Sequence, residues 1–279
     1  MRLDIVMWAK NGAATLPLVL RRVDECLPKG SVHRKIFVDD HSIDRSRAIA
    51  EDFEWEVHEN EEGGVAAGVN KAFSLVDCEY LVAVEQDLVL TFDWWNRIST
   101  LLREPNVAVA QGWRLPPEMQ PVLRKFEEYR LERYKKYSLP IFSIDNTMFR
   151  SSVAKSVGTV PSKLKYSGVD TYLCKSVVSL GHRWAIDYDL VSTHLRPGGL
   201  REQINRYYRY GRDVPILERS ELSGKSRYVR QGLKSVLGIF LFSPFRGLII
   251  AVAKRCPQIV VYYPLIRFAV LRGYLKSGV

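Results

Sequence analysis

Residues 78–90 read Cys78-Glu79-Tyr80-Leu81-Val82-Ala83-Val84-Glu85-Gln86-Asp87-Leu88-Val89-Leu90. Tyr80 to Val84 are consecutive apolar residues, mostly β-branched or aromatic, which predicts a strand buried on both faces. That strand ends abruptly in two carboxylates one residue apart, Glu85 and Asp87. In an open α/β sheet, ligands sit just beyond the carboxyl ends of the strands. Two carboxylates there suit a hard divalent cation that also holds phosphate oxygens. Alone, such a triplet reads more simply as a solvated loop. The flanking stretches decide.

Strand and helix patterns alternate on the N-terminal side. Leu3 to Trp8 is an apolar strand, followed by the turn Ala9-Lys10-Asn11-Gly12. Leu16, Leu20, Val23 and Leu27 recur at helical spacing, and Pro28 and Gly30 close that helix. Lys35 to Val38 is a second strand, running into Asp39-Asp40-His41-Ser42-Ile43-Asp44. Ser42 is expected to cap the next helix and Asp44 to sit at its positive end. Glu54 to His58 reads as a third strand, and Gly63-Gly64 precedes a helix from Val65 to Leu75. This alternation predicts an α/β, Rossmann-like fold with a mostly parallel central sheet flanked by helices. Further on, Val122 to Tyr137 reads as a charged, solvated helix, and Trp94-Trp95 as core packing or the floor of an acceptor site.

The chain of 279 residues is long enough for a full core, as one large domain or one with an appendage. Its net charge of +10 is unevenly placed: from Arg196 onward lie 16 of the 41 Lys/Arg and only 4 of the 31 Asp/Glu. The tail is therefore expected to meet something anionic, while the body is near neutral. Cys26, Cys78, Cys174 and Cys256 stand far apart with no Cys-x-x-Cys pair. They are expected to be reduced thiols rather than a disulfide or zinc framework. No signal-peptide pattern precedes the first strand, which gives a cytoplasmic expectation.

The order of these stretches carries a resemblance. Asn11 follows the first strand; then come Asp39-Asp40-x-Ser42-x-Asp44, Gly64 with Asn70 downstream, and the strand ending Glu85-x-Asp87. Asp145-Asn146-Thr147-Met148-Phe149-Arg150, Val157-Gly158, Gly168-Val169-Asp170 and a strand closing at His194 complete the series. Together, over residues 1–212, they resemble the inverting GT-A glycosyltransferases of family 2. Glu85 and Val169 depart from the pattern, which has Asp and Glu there. The resemblance implies a nucleoside-diphosphate sugar donor, UDP- or GDP-linked, and a Mn2+ or Mg2+ ion that neutralises the departing diphosphate.

The resemblance also assigns roles. Asp87 would be the direct metal ligand, Glu85 would bind the metal through water or contact the ribose, and His194 would add a neutral imidazole. Asp39, with Asp40 beside it, would accept a hydrogen bond from the base, and Ala9 and Asn11 would line the base pocket. Gln86 would reach the nucleotide, Gly64 would permit close backbone approach, and Asn70 would hold the glycine loop from its helix. Asp170 would take the acceptor's proton on the face opposite the leaving group, giving inversion. Simpler readings stand beside these: turn formation for the aspartate pair, and the helix dipole for Asp170.

In the tail, Val236 to Ala253 is apolar but broken by Ser243-Pro244 and Arg246, and Ile259 to Leu271 is split by Pro264 and Arg267. Neither offers the roughly 20 uninterrupted apolar residues of a membrane-spanning helix. With Lys234, Lys254 and Arg255 at their flanks, they read as re-entrant or interface-lying helices against anionic headgroups. Core helices or a dimer interface are the alternative. Arg201 to Arg212 interleaves arginine with tyrosine, a pattern that suits nucleic acid, but the apolar context argues against that partner. The expected organisation is a GT-A catalytic domain over 1–212 and a basic, hydrophobic helical tail over 213–279. The expected protein is a monotopic glycosyltransferase on the cytoplasmic face of the cell membrane, acting on a lipid-linked or glycan acceptor. A non-catalytic membrane-associated adaptor with a degenerate sugar-nucleotide fold is the rival. The oligomeric state is left open.

Overall fold

The structure, a computed structural model, describes residues 1–137, 142–219 and 233–277. The parts of the expected tail at 220–232 and 278–279 lie outside the described residues. Contacts divide the chain into two compact units. One comprises Met1–Leu115, Pro140–Lys165 and Val169–Leu195; the other comprises Pro116–Leu139, Tyr166–Gly168 and Arg196–Val279.

The first unit opens with β1 (Leu3–Ala9), α1 (Leu16–Cys26), β2 (Val32–Asp39), α2 (Ser46–Asp52), β3 (Glu56–Glu59), α3 (Val65–Ser74) and β4 (Tyr80–Val84). Next come β5 (Leu88–Val89), α4 (Trp94–Leu101), β6 (Val107–Leu115), β7 (Asn146–Arg150), α6 (Ser151–Ser156), α7 (Val169–Ser179) and β8 (Arg183–His194). The strands form one sheet in the order β3-β2-β1-β4-β7-β6-β8-β5. β1 and β4 lie centrally and are buried along their whole length, as unbroken apolar runs require. β1 pairs in parallel with β2 and β4, and β2 with β3. Beyond β4 the direction changes: β7 runs antiparallel to both β4 and β6. Trp94 is fully buried in the core, and its indole N–H donates to Asn146 Oδ1 at 2.5 Å, so core packing is its role.

Near the N-terminal end of the central strand β1, Asp4 is fully buried. Its Oδ2 accepts the backbone N–H of Asp77 at 2.7 Å and of Cys78 at 3.0 Å, tying β1 to the approach to β4. Burial alone would raise this carboxyl's pKa. The backbone bonds from Cys78 and Asp77, with His33, more than offset it and hold the pKa below the ordinary value.

The second unit is helical: α5 (Pro121–Tyr137), α8 (Gly199–Arg219), α9 (Leu233–Leu241), α10 (Ser243–Lys254) and α11 (Ile259–Leu275). Residue 212, where the span of the resemblance sets the expected boundary, lies inside α8. The charged helix α5 is not solvated all round: Leu123 and Phe126 pack with Ile250, Ile259, Tyr262 and Ile266 in this unit's core. Pro264 does not split the second apolar run, which forms one helix through it. The carbonyl of Val260, which proline cannot bond, faces α10 at Gly247, where a Cβ would come within 3.2 Å of it. The first apolar run does break as expected, into α9 and α10, bent by 52°. No single described helix is long and apolar enough to cross a membrane.

α8 and α11 meet backbone to backbone. A Cβ on Gly211 would lie 2.2 Å from Val270 O, and one on Gly273 would lie 2.1 Å from Tyr208 O. Asp213, buried on α8, accepts the N–H groups of Tyr166 and Ser167 at 2.7 Å each, which anchors residues 166–168 in this unit.

Two expectations follow. Gly273→Ala forces α8 and α11 apart and should destabilise the second unit by about 2–3 kcal/mol or more; an unchanged denaturant melt of helical circular dichroism would refute the crossing. For Asp4, a lowered folded pKa means that its stabilisation is present above the unfolded value of about 3.9 and is lost as pH falls through the folded value. Stability of Asp4→Asn measured against pH should therefore differ most from the wild type at neutral pH, the two curves converging in acid.

Candidate active site

The site is assembled at the carboxyl ends of β1, β2 and β4. Two loops are sewn together there by side chains reaching backbone. Asn11, at φ +51°, donates its N–H to Ser42 Oγ (2.9 Å), and its Oδ1 accepts the N–H of Ile43 (2.9 Å). Gly12 N–H donates to Ser46 Oγ at 2.8 Å, and Ala13 N–H to Asp44 Oδ2 at 3.0 Å. Ser42 and Asp44 are thus loop staples. Ser42 does not cap a helix as expected, because α2 begins only at Ser46. Asp44 does stand at the start of α2, its Oδ1 accepting the Ser46 N–H at 3.0 Å. Burial opposes ionisation of Asp44, but the bonds from Ser46 and Ala13 more than offset it and keep the carboxylate below its ordinary pKa.

Asp39 and Asp40 leave β2 in different environments. Asp40 N–H donates to Ala9 O at 2.8 Å, and Asp40 Oδ1 accepts from Gly64 N–H (2.9 Å) and Asn60 Nδ2 (3.1 Å). Asp39 is fully buried; its Oδ2 accepts the Ser42 N–H at 3.1 Å, while Oδ1 has no hydrogen-bond partner. An orphaned buried acceptor is uncommon and wants a donor. Gly64 adopts φ +91°, open to glycine, and packs against Lys165, a Cβ there lying 3.3 Å from the Lys165 Cα. Asn70 clasps Val160 through both its N–H and its carbonyl, at 2.9 and 2.8 Å. The glycine loop that it was expected to hold is held instead by Asn60, which donates to Gly64 O at 3.0 Å. Gln86, expected to reach a nucleotide, engages Lys10: its Oε1 accepts the Lys10 N–H and its Nε2 donates to the Lys10 carbonyl.

The acidic residues after β4 are joined by strand register. Val84 pairs with Asn146, so Glu85 and Asp145 are the next positions on adjacent strands. Leu88 on β5 pairs with His194 on β8, and Leu195 N–H donates to Asp87 O at 2.8 Å. His194 Nε2 consequently lies 3.1 Å from Asp87 Oδ1 and 3.7 Å from Glu85 Oε2. Ligand atoms of Glu85, Asp145 and His194 all fall within 4.8 Å of one another. His194 is fully buried and Asp145 is 1% exposed, whereas Glu85 and Asp87 keep 27% and 15% of their side chains exposed. Arg114 Nε approaches Asp145 Oδ2 at 2.7 Å, and Ser143 Oγ donates to its other oxygen.

Two carboxylates and an imidazole at this spacing, with a third carboxylate against the same ring nitrogen, form a donor set that fits a divalent ion accepting both nitrogen and oxygen, as Mn2+ does. The expected metal residues Glu85, Asp87 and His194 are brought together. Asp170 is not in that cluster; it stands half-buried in the first turn of α7. Asp145 and Asn60 were missed as site residues. Asp145 opens a strand pattern, and only the register with β4 reveals its neighbour.

A central parallel sheet, an acidic group with an imidazole beyond its strand ends, and an aspartate-bearing double loop beside it define a nucleotide-sugar-binding fold of the GT-A class. Residues 4–158 match the model of glycosyl transferase family 2, and the chain belongs to that family. No curated protein sequence matches it significantly. Among solved structures, mannosyltransferase PcManGT from Pyrobaculum calidifontis, in complex with GDP-Man and Mn2+, aligns with a TM-score of 0.68 at 16% identity, over 99% of this chain and 86% of that one. Glucosyl-3-phosphoglycerate synthase from Mycobacterium tuberculosis, with Mn2+, UDP and glucosyl-3-phosphoglycerate, aligns at 0.55 and 14% identity over 78% and 79%. S. aureus TarS with UDP aligns at 0.54 and 14% identity over 100% and 92%. These likenesses establish the fold.

Asn60→Ala should free both the Asp40 carboxylate and the Gly64 carbonyl. A loss of about 1–2 kcal/mol is expected in chemical denaturation; no loss would mean that the two loops hold each other without it.

Proposed function

We propose that this family 2 glycosyltransferase moves a sugar from a UDP- or GDP-linked donor to a lipid-linked or glycan acceptor with inversion, on the cytoplasmic face of a membrane. The observation that carries the donor half is the gathering of Glu85, Asp87, Asp145 and His194 at the sheet edge that also bears Asp39. Glu85, Asp145 and His194, with Asp87 beside them, are the residues that would hold Mn2+ or Mg2+. When bound, that ion supplies charge neutralisation for a diphosphate leaving group. The GDP and UDP complexes with Mn2+ in the structural neighbours support the same choice.

The chain's own residues supply the rest. Asp39 Oδ1, lacking a partner, accepts an N–H such as the edge of uracil or guanine offers. Asp40 holds Gly64 and, through it, the start of α3, giving the donor a pre-formed wall. Asp170, in the first turn of α7, takes the acceptor's proton as the new glycosidic bond forms. A single base without a covalent nucleophile yields inversion. The membrane half rests on the second unit, where Phe242, Phe245, Ile249 and Val252 of α10 and its lead-in are 59–71% exposed. Apolar exposure on that scale marks a contact surface.

Thermal stabilisation by a panel of nucleoside diphosphates and nucleotide sugars, with and without Mn2+, tests the donor half. One base should raise the melting temperature in a metal-dependent way. Asp145→Asn should weaken Mn2+ binding by about tenfold or more in calorimetry, and Asp170→Asn should leave donor binding intact while lowering turnover by about 10²–10⁴. No stabilisation by any donor would favour the adaptor reading instead.

A further inference from the structure

The second unit holds a cavity of about 390 Å³ that the donor chemistry does not use. Four arginines contribute to its lining: Arg130 and Arg133 from α5, Arg246 from α10 and Arg267 from α11. Arg130 is balanced, since its Nη1 meets both oxygens of the buried Glu127 at 2.9 Å. Among the described residues, no ion pair is made by Arg133, Arg246 or Arg267. Arg267 stacks its guanidinium 4.8 Å from the centre of the Tyr263 ring, and its Nε is buried without a hydrogen-bond partner. Converging arginines with a buried donor unmet are a setting for a phosphate, whose oxygens match the guanidinium fork.

The surroundings narrow the source of that phosphate. Ile249 lines the cavity and is 59% exposed; Phe245 and Val252, four and three residues away on the same helical face, are 69% and 71% exposed. A cationic pocket opening beside an apolar helix face matches an anionic head joined to hydrocarbon chains. A polynucleotide or free phosphate would satisfy the arginines and leave that face in water.

We infer that the arginine pocket between α5, α10 and α11 binds the phosphate headgroup of an anionic lipid, whose chains lie along the Phe245–Ile249–Val252 face of α10. The site is a specific lipid contact, beyond diffuse attraction of a basic tail. It rests on the membrane half of the proposed function and is independent of the donor half.

The test is flotation of the full chain with vesicles of phosphatidylcholine alone or containing phosphatidic acid. Two double variants each remove two positive charges from exposed positions: Arg133→Gln/Arg246→Gln in the pocket, and Arg255→Gln/Lys276→Gln outside it. Diffuse attraction, worth about fivefold per basic residue near an anionic surface, weighs on both pairs alike. The pocket reading expects the first pair to lose at least roughly tenfold more binding to phosphatidic acid vesicles than the second. Arg133→Lys/Arg246→Lys, which retains charge without the fork, should also bind less than the wild type. Retained stabilisation by the nucleotide that stabilises the wild type shows that the first unit is intact in each variant, and an unchanged helical melt does so for the second.

Equal losses in the two Gln pairs would overturn the pocket while leaving the membrane reading in place. A wild-type chain that ignores every vesicle would overturn both. Binding of inorganic phosphate or an RNA oligomer that is lost in the arginine pair, with vesicle binding unchanged, would assign the pocket to another ligand and overturn the lipid.

Discussion

The fold's central constraint is electrostatic: three carboxylates must be held around one buried imidazole at the end of a sheet. Left to themselves, Glu85, Asp87 and Asp145 would separate, because like charges at short range repel strongly away from water. Backbone pairing keeps them together. The antiparallel register of β7 against β4 sets Asp145 beside Glu85, and the two-residue β5 locks Asp87 against His194 through β8. Arg114 and Ser143 hold Asp145 from behind. The sheet thus bears the repulsion, and what it preserves is a site whose charge favours a cation.

The double loop beside it works by a different economy. Ser42, Asp44 and Ser46 are spent on backbone N–H groups of the facing loop, at Asn11, Ala13 and Gly12, so the two loops hold each other. Rigid loops on a fixed scaffold lose little freedom on binding. Asp39 is the exception within this network, with one oxygen satisfied and the other left without a partner. That asymmetry distinguishes it from Asp40, whose Oδ1 is engaged by Asn60 and Gly64. The two adjacent aspartates therefore sit differently: Asp40 organises the loop, while Asp39 keeps one buried carboxylate oxygen without a hydrogen bond.

The helical unit solves another problem, which is to build a stable core while leaving apolar side chains outside. Gly211 and Gly273 let α8 and α11 approach at backbone distance, and the small core around Phe126, Tyr262 and Ile266 closes the other side. Close packing on the inner faces frees the outer face of α10 to remain apolar. The proline in each apolar run has a distinct effect: Pro244 starts α10 after a bend, where its missing N–H is harmless, whereas Pro264 is absorbed inside α11.

Sequence alone determined the alternation of strands and helices, the centrality of Tyr80–Val84, and the acidic end of that strand, because burial on both faces and helical spacing leave direct marks in residue order. It also identified Glu85, Asp87 and His194 as partners, through the resemblance. Tertiary structure decided what depends on neighbours distant in the chain. The register of β7 brought in Asp145; hydrogen bonding gave Asn60 the role expected of Asn70, and made Ser42 a loop staple instead of a helix cap. The arginine pocket, drawn from three helices, has no signature in any one stretch. Local patterns record which side of an element is buried. Which element covers it is settled only when the chain closes on itself.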